Sequence, residues 1–356
     1  MSLNTVLITG GAGFIGSNFI RYLLEVDPRA QVINLDALTY AGRLENLADL
    51  PDPARYTFVH GDITDRPLVD ELFRRYPIDT VVNFAAETHV DRSILGPQSF
   101  IHTNVTGVFT LLEAARSAWS QKPRGVRFHH VSTDEVYGPL APDQPPTGEG
   151  SAYAPRSPYA ASKAAADHLV RAYFHTYGLP VSVSICSNNY GPCQFPEKLI
   201  PLAILHAAAG QPIPIYGDGR QVRDWLFVTD HCEAIHRILT AGQAGESYHV
   251  AGGNQPTNLE IVQTLCRLLD ERIPNSPHLP HQQLVHHVAD RPGHDRRYAL
   301  DSAKIQAELG WRPHHTLADG LAATVDWYIS HPDWVAQVTG QPEYHRWLEQ
   351  NYTHRD

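Results

Sequence analysis

Short apolar runs alternate with amphipathic stretches along the first half of the chain. The runs are rich in β-branched residues and predict buried strands, while apolar positions three or four residues apart in the intervening stretches predict helices. The predicted strands cover residues 5–9, 31–36, 56–60, 80–84, 126–132 and 181–186. The predicted helices cover residues 15–26, 67–76, 99–117 and 157–177. This alternation indicates an α/β fold, a doubly wound parallel sheet covered by helices on both faces.

The pattern becomes less regular after Asn189, where glycine and proline interrupt the apolar positions. Further helices are predicted at residues 198–209, 258–270 and 303–309, and short strands at 227–228 and 248–250. We expect both strands to return to the main sheet, which would make the boundary between a large first domain and a smaller α/β C-terminal domain interleaved. The expected first domain is 1–189 with returning segments at about 226–254, and the second is 190–225 with 255–356.

Composition and charge narrow the function classes. The 356 residues carry a formal net charge of −10, and the basic residues are scattered, which argues against a nucleic-acid or membrane-surface partner. No stretch approaches the about 18–20 apolar residues of a membrane span, and no basic leader precedes the first strand. The four cysteines have no metal-binding spacing and the 21 histidines are dispersed, so we expect no metal site. A cytoplasmic protein with free thiols is predicted.

A glycine-rich turn joins the first predicted strand to the first predicted helix. Glycines at such a turn let backbone N–H groups approach a pyrophosphate at the helix N-terminus. Asp36 ends the second strand, where a carboxylate would bind a ribose 2′-hydroxyl and repel a 2′-phosphate. Asp62, after the third strand, is expected beside the adenine. The pattern predicts a site for NAD rather than NADP, and its glycines are Gly10, Gly11, Gly13 and Gly16.

Tyr159 and Lys163 lie four residues apart and therefore share one face of a helix. The ordinary pKa of tyrosine, about 10, is too high for a base at neutral pH, but a nearby ammonium and a nicotinamide cation favour the phenolate. Tyr159 could then take a hydroxyl proton while the carbinol hydride leaves. Thr133, at the end of the preceding strand, could bind the same oxygen. By itself this pair could equally be a surface helix pair.

Two adjacent carboxylates, Asp134 and Glu135, follow Thr133 directly. On their own they could simply cap the turn after the strand. Beside Tyr159 and Lys163, however, they offer an acid and a base at an oxidised carbon. Neighbouring carboxyl groups can have pKa values that are pushed apart, so that one starts protonated and the other ionised. The pair therefore suggests an elimination in addition to hydride transfer.

These segments together resemble the extended short-chain dehydrogenase/reductase superfamily, and within it the dTDP-glucose 4,6-dehydratase family. The resemblance covers nearly the whole chain. The triplet Thr133-Asp134-Glu135 and the segment Arg-Pro-Gly-His-Asp at 291–295 are its most specific parts. The other matching segments are 8–16, 36–42, 83–93, 155–163, 186–192, 195–201 and 216–230.

The resemblance implies a hydro-lyase that converts dTDP-glucose to dTDP-4-keto-6-deoxyglucose and water in deoxysugar biosynthesis. Tightly bound NAD would oxidise C4 with Tyr159 as base, and the hydride would finally return to C6. Glu135 would remove the C5 proton while Asp134 protonates the departing C6 hydroxyl. General acid–base help of this kind is worth roughly 10²–10⁴-fold. The resemblance also implies a Rossmann-type NAD domain, a nucleotide-sugar-binding cap and a homodimer formed by the helices at 99–117 and 157–177.

Further site residues are implied by the resemblance alone. For the cofactor they are Phe14, Ile15, Leu38, Thr39, Ile63, Ala85, Ala86, Thr103 and Asn189, with Tyr159 and Lys163 contacting it as well. For the substrate they are Thr88, Thr133, Asn188, Lys198, Leu199, Pro214, Tyr216, Arg223, Asn258, Arg291 and His294. Arginine suits bidentate contacts with phosphate. A Pro-rich stretch at 140–151 is longer than the family pattern and is expected at the rim of the site.

Other functions are also compatible with these sequence features. Another NAD-dependent nucleotide-sugar enzyme of the same fold, such as an epimerase, a decarboxylase or a GDP-mannose dehydratase, would share the glycine turn and Tyr159. A simple 4-epimerase has no need for Asp134 and Glu135, and a GDP-mannose dehydratase would usually carry serine at position 134. A non-catalytic dinucleotide-sensing regulator would have little reason to keep Thr133, Tyr159 and Lys163 together.

Overall fold

A seven-stranded parallel sheet forms the centre of the protein. It is seen in a computed structural model that describes residues 3–120, 125–290 and 293–352. The strand order is β10-β6-β5-β4-β1-β2-β3, with each neighbouring pair parallel. The strands are β1 Thr5–Thr9, β2 Gln31–Asp36, β3 Tyr56–His60, β4 Thr80–Asn83, β5 Arg127–Thr133, β6 Val181–Cys186, β7 Asn188–Tyr190, β8 Ile213–Tyr216, β9 Trp225–Phe227, β10 Ser247–Val250 and β11 Val285–Val288. The predicted doubly wound α/β sheet is confirmed.

Helices cover both faces of this sheet and form most of the C-terminal region. They are α1 Phe14–Val26, α2 Arg66–Arg75, α3 Val90–Leu95, α4 Pro97–Ile101, α5 Val108–Trp119, α6 Pro158–Tyr177, α7 Leu199–Ala208, α8 Val228–Ala241, α9 Asn258–Arg272, α10 Ala303–Leu309, α11 Leu317–Ser330, α12 Pro332–Thr339 and α13 Pro342–Tyr352. Short 3₁₀ turns lie at Leu44–Leu47, Pro53–Arg55, Asp134–Tyr137 and His281–Leu284.

Local capping explains the ends of α6, the helix that carries Tyr159 and Lys163. Its N-cap Ser157 accepts a hydrogen bond from the backbone N–H of Ala160, and Pro158 occupies the first helical position. Gly178 ends the helix in a left-handed conformation, with φ of 67°. The predicted helix at 157–177 therefore agrees with α6 to within one residue.

One predicted helix, at 99–117, is not a regular α-helix. It begins as α4, passes through a π-helical segment at His102–Gly107, and continues as α5. Such segments are rare and often lie at functional sites. Here the wider turn places Asn104 so that its side chain hydrogen-bonds both backbone groups of Glu87 and the Ser162 hydroxyl. The segment thus ties the loop after β4 to α6.

One of the two returning strands behaves differently from the prediction. β10 does join the main sheet, beside β6. The residues predicted as a strand at 227–228 instead end β9 and begin α8, and β9 pairs with β7 in a separate ladder. Asp224 explains the difference, because its carboxylate accepts hydrogen bonds from Ser187 and from the N–H groups of Gly252 and Gly253. These contacts anchor the chain before β9 beside the end of β6.

The C-terminal region has an apolar core of its own. Side chains from α7, α9, α11 and the last two helices pack together, including the buried Ile204, Leu265, Leu321 and Trp334. A second two-stranded ladder joins β8 and β11. Residues 140–151, which are predicted at the rim of the site, run beside residues 297–301, where the Thr147 N–H donates to the Ala299 carbonyl at 2.9 Å.

We expect Gly252→Ala to destabilise the protein, because a Cβ at this position would overlap the carbonyl oxygen of Trp225. Overpacking against backbone typically costs about 1–3 kcal/mol. The free energy of unfolding, measured in urea, checks this. Gly148→Ala is the matched control, since a Cβ there meets nothing within 4 Å. Equal stability of the two variants would contradict the tight approach at Gly252.

Candidate active site

The carboxyl ends of β1, β4, β5 and β6 open into a cavity of about 320 Å³. In parallel α/β sheets, ligands bind at this edge. Residues from the glycine turn line one part of the cavity, and residues from the end of β5 and the start of α6 line another. A dinucleotide-type site and the proposed acid–base residues therefore share one space.

The glycine turn has the geometry that a phosphate group requires. Gly10 has φ of +70°, and a Cβ there would lie 2.6 Å from the Ala85 backbone nitrogen. A Cβ at Gly16 would overlap the Gly10 carbonyl oxygen. No side chain caps the N-terminus of α1, so the N–H groups of its first turn stay available beside the cavity. An anion is the natural partner of such a helix end.

Asp36 lies where the ribose carboxylate was predicted. It is buried, and its two oxygens accept the Ala12 and Leu38 N–H groups, each at 2.8 Å. Burial raises its pKa, while those two hydrogen bonds oppose the change. Since each carboxylate oxygen has two acceptor positions, capacity for a hydroxyl donor remains.

Most of the predicted cofactor residues line the cavity. They are Gly10, Gly13, Phe14, Ile15, Gly16, Asp36, Thr39, Asp62, Ile63, Ala85, Ala86, Thr103, Tyr159, Lys163 and Asn189. Two predicted residues do not. Gly11 packs behind the turn, where a Cβ would overlap the Asn34 side chain. Leu38 instead packs beside the apolar cluster that covers one face of the sheet, and its backbone has a positive φ of 50°.

The acid pair follows directly from the end of β5. Thr133 caps the 3₁₀ turn that starts at Asp134, and its hydroxyl lies 3.3 Å both from the Glu135 N–H nitrogen and from Asp134 Oδ1. Asp134 is only 3% exposed, and its Oδ2 has no hydrogen-bond partner among the described residues. Burial and the neighbouring Glu135 carboxylate raise the pKa of Asp134 to about 8, although Arg223 lowers it. Asp134 is therefore largely protonated at neutral pH.

Tyr159 and Lys163 both line the cavity and are both buried. Burial and the Glu135 carboxylate hold the pKa of Tyr159 well above 10, although a hydrogen bond from Thr133 lowers it. The expected depression of the Tyr159 pKa is thus not produced by the protein alone. The Lys163 ammonium instead donates to the Val131 carbonyl at 2.6 Å and contacts His130 Nε2 at 3.2 Å. Burial lowers the pKa of Lys163 to about 8.

Some of the predicted substrate residues line the cavity and others do not. Thr88, Thr133, Asn188 and Lys198 line the cavity. The buried Asn188 Oδ1 has no hydrogen-bond partner among the described residues, which leaves it available to a ligand. Six predicted residues lie outside this lining, namely Leu199, Pro214, Tyr216, Arg223, Asn258 and His294. Arg291 falls outside the described residues.

Arg223 lies close to the acid pair although it does not line the cavity. It is 6% exposed and donates to the carbonyl oxygens of Val222 and Asp295. Its guanidinium carbon lies 4.6 Å from the centre of the Tyr298 ring. Its charge lowers the pKa of Asp134, so it acts on this site electrostatically.

Two acidic residues that line the cavity were missed from the sequence, Glu87 and Glu197. Burial raises the pKa of each carboxyl group. The Glu197 side chain accepts the Tyr40 hydroxyl at 2.9 Å and lies 3.5 Å from Arg92, whose guanidinium stacks 3.8 Å from the centre of the Tyr40 ring. Each glutamate lies within a segment that matched the family pattern, but nothing in that pattern alone separated them from surface acids.

Comparison with known proteins agrees with this geometry. A family model described as GDP-mannose 4,6 dehydratase matches residues 7–324. A dTDP-glucose 4,6-dehydratase of Salmonella typhimurium is 52% identical, covering 98% of this chain and 99% of the relative. One of Xanthomonas campestris is 56% identical, covering 94% and 95%. The chain belongs to the dTDP-glucose 4,6-dehydratase family.

Solved structures support the same family assignment. DesIV, a dTDP-glucose 4,6-dehydratase of Streptomyces venezuelae crystallised with NAD and TYD bound, is 48% identical with a TM-score of 0.85, covering 94% of this chain and 99% of that one. A UDP-glucose 4-epimerase of Thermotoga maritima is 28% identical with a TM-score of 0.81, covering 92% and 99%. The backbone fold is thus common to dehydratases and epimerases.

Within the part of the chain that the structure describes, no helix is both long and apolar enough to cross a membrane.

The raised pKa of Asp134 predicts a pH-dependent stability difference. The folded state holds this proton more tightly than the unfolded state, so wild-type stability falls as pH rises from the ordinary carboxyl pKa of 3.8 to about 8. Asp134→Asn removes that titration. Its stability relative to wild type should rise between about pH 5 and about pH 8 and level off above. Thermal unfolding across this range measures the effect.

The exposed Asp143 offers a matched control for that experiment. Asp143→Asn makes the same chemical change without touching the cavity. Its stability difference from wild type should not follow the Asp134→Asn curve. A flat curve for Asp134→Asn would mean that Asp134 is ionised in the folded protein at neutral pH, contrary to its burial.

Proposed function

We propose that this protein converts dTDP-glucose to dTDP-4-keto-6-deoxyglucose and water. The observation that carries the proposal is the buried Asp134 beside Glu135, in the same cavity as Tyr159 and Lys163. Relatives that are named dTDP-glucose 4,6-dehydratase and span nearly the whole chain support the same substrate. The enzyme is accordingly a hydro-lyase.

The residues of the cavity suit NAD as the resident cofactor. The glycine turn and the uncapped start of α1 would hold the pyrophosphate, and Asp36 the adenosine ribose. Lys163 and Asn189 would lie on the nicotinamide side. The chemistry that NAD supplies when bound is the reversible acceptance of a hydride from the sugar.

Tyr159 is the base that receives the proton of the C4 hydroxyl. Because burial and Glu135 raise its pKa, the phenolate depends on cationic neighbours, and we assign that role to the bound nicotinamide together with Lys163 on the same helix face, although the ammonium itself donates to the Val131 carbonyl. Thr133 lowers the pKa of Tyr159 and can hold the C4 oxygen. Once C4 is a ketone, the neighbouring C5–H is acidic.

Asp134 and Glu135 divide the elimination between them. Glu135 removes the C5 proton, and Asp134 delivers its proton to the C6 hydroxyl, which leaves as water. The environment assigns these roles, because a carboxyl group whose pKa is about 8 is a donor at neutral pH. Glu135 then returns its proton to C5 when C6 is reduced.

At the end of this cycle, the protonation states of Tyr159 and Asp134 must be restored before the next turnover. Tyr159 has gained the C4 hydroxyl proton, and Asp134 has lost one to the departing water. Thr133 is close to both groups: its hydroxyl is 3.3 Å from Asp134 Oδ1, and it lowers the pKa of Tyr159. A proton passing from Tyr159 through Thr133 to Asp134 restores the starting state without solvent.

The nucleotide is assigned to the side of the cavity that faces the C-terminal region. Thr88, Asn188 and Lys198 line the cavity, and Lys198 is the N-cap residue of α7 in that region. Arg223, Arg291 and His294 are assigned to the diphosphate by family resemblance, and the buried cationic Arg223 supports that assignment. The division into an NAD domain at 1–189 with 226–254, and a cap at 190–225 with 255–356, follows the same reasoning and is supported by the separate apolar core of the cap.

We assign the enzyme to the cytoplasm. The support is that all four cysteines are buried free thiols, which suits a reducing compartment.

We also propose a homodimer built on the predicted helices at 99–117 and 157–177. The support is that large apolar side chains on the first of these helices are exposed. Ile101 is 50% exposed and Phe109 45%. Exposed apolar surface is typical of protein–protein interfaces.

The central experiment incubates the purified protein with dTDP-glucose and no added NAD. We expect a 4-keto sugar, seen by its alkaline absorbance, and a mass reduced by one water. Turnover of another nucleotide sugar, with none of dTDP-glucose, would contradict the substrate assignment. UDP-glucose and GDP-mannose are the comparison substrates.

The roles of acid and base are separated by substituting the two neighbouring residues one at a time. In deuterated water, Asp134→Asn should lose water elimination by about 10²–10⁴-fold yet still place deuterium at C5 of recovered sugar. Glu135→Gln should lose both. Deuterium incorporation is measured by mass spectrometry. If Asp134→Asn also fails to label C5, the two roles are not divided as proposed.

The dimer surface is tested by Ile101→Asp combined with Phe109→Asp. Two charges on an apolar interface should convert the dimer to a monomer, as measured by light scattering after size-exclusion chromatography. Ile329→Asp is the control, because Ile329 is 40% exposed but lies on α11. A dimer that survives the double substitution would show that this surface is not the interface.

A further inference from the structure

A buried polar cluster lies directly behind the cavity, around Asp167. This residue follows Lys163 by one helical turn on α6, and both Asp167 and His130 are 0% exposed. Neither residue lines the cavity. Complete burial of a carboxyl group is costly unless it is bonded and paired, so its presence calls for an explanation.

The two oxygens of Asp167 have different surroundings. Oδ2 accepts the Ser132 hydroxyl at 2.7 Å and the Tyr153 hydroxyl at 2.9 Å. Oδ1 has no hydrogen-bond partner among the described residues and lies 3.6 Å from His130 Nε2. That same nitrogen lies 3.2 Å from the Lys163 ammonium. The imidazole therefore lies between the carboxylate and the ammonium.

Apart from Asp167, few groups around Lys163 would stabilise its positive charge. Its direct partners, the Val131 carbonyl and His130, are neutral, because burial keeps the pKa of His130 well below its ordinary value. Burial pulls the pKa of Lys163 down, and Asp167 is the largest influence in the other direction, ahead of Cys186. Burial raises the pKa of Asp167, and Lys163, the two hydroxyl donors and Arg171 oppose that rise and favour the carboxylate.

We propose that Asp167 is a positioning residue that keeps Lys163 charged inside the protein, with its carboxylate acting across His130. This inference rests on the proposed function only for its consequence in catalysis, since a neutral lysine could not favour the Tyr159 phenolate. The electrostatic claim itself concerns the protein alone.

A purely structural role makes a different prediction. Asp167 also joins β5, the loop at Tyr153 and α6 through its hydrogen bonds, and the Arg171 guanidinium extends this link by donating to the Tyr153 hydroxyl at 2.6 Å. If Asp167 served only as this tie, loss of a hydrogen-bond donor would matter as much as loss of the charge. Tyr153→Phe removes a donor and keeps the carboxylate, so it is the matched control.

The test measures the titration of Lys163 directly. Purified enzyme is labelled briefly with acetic anhydride at a series of pH values, and the acetylation of Lys163 is quantified by peptide mass spectrometry. In Asp167→Asn the midpoint should fall by at least about one pH unit below that of wild type, which corresponds to a tenfold change in protonation. Tyr153→Phe should keep the wild-type midpoint. Equal midpoints in Asp167→Asn and wild type, or equal shifts in both variants, would overturn the proposal.

Turnover provides a separate readout. The alkaline limb of kcat/KM for dTDP-glucose should move to lower pH in Asp167→Asn and stay in place in Tyr153→Phe. Should dTDP-glucose not be the substrate, this readout is lost while the labelling result stands, so the two failures are distinguishable. If Asp167→Asn does not fold, Asp167→Ser makes the same charge change with a smaller side chain and is judged by the same midpoint.

Discussion

The burial of ionisable groups at the end of β5 is the constraint on which the site depends. This strand is central in the sheet, with β4 and β6 as neighbours, so its final residues are shielded from water on both sides. Desolvation there raises the pKa of Asp134 and lowers that of Lys163. Both groups titrate near 8 as a result, close to the pH at which proton transfer in either direction is useful. An exposed turn with the same residues would have neither property.

The rest of the architecture maintains that burial. The π-helical segment positions Asn104 to fix the loop at Glu87, and the side chain of Asp224 anchors β9 beside the end of β6. The cap supplies Arg223, whose charge offsets part of the pKa rise at Asp134. These contacts come from segments far apart in the chain, so the acid–base properties belong to the assembled fold rather than to the local motif.

The difference between the local motif and the contacts from distant segments explains what the sequence could and could not predict. The glycine turn follows from its local motif, and β1, β2 and β6 follow from local pattern, because buried parallel strands carry continuous apolar runs. The π-helical segment, the pairing of β9 with β7 and the roles of Glu87 and Glu197 depend on contacts between distant segments, which periodicity does not encode. The Tyr159 pKa is the clearest case. The helix spacing to Lys163 was predicted correctly, but the ammonium is turned to Val131 and His130, and Glu135 dominates the charge around the phenol.

The same reasoning indicates where dehydratases and epimerases differ. The epimerase of Thermotoga maritima has the same fold at 28% identity, so the backbone cannot be what selects elimination. In this chain the distinguishing feature is the buried carboxyl group of Asp134, whose pKa is raised to about 8, beside Glu135. Burial is the larger cause of that rise and the Glu135 carboxylate the second. In the mechanism that we propose, the base therefore also helps to make its neighbour an acid, so the two roles depend on each other.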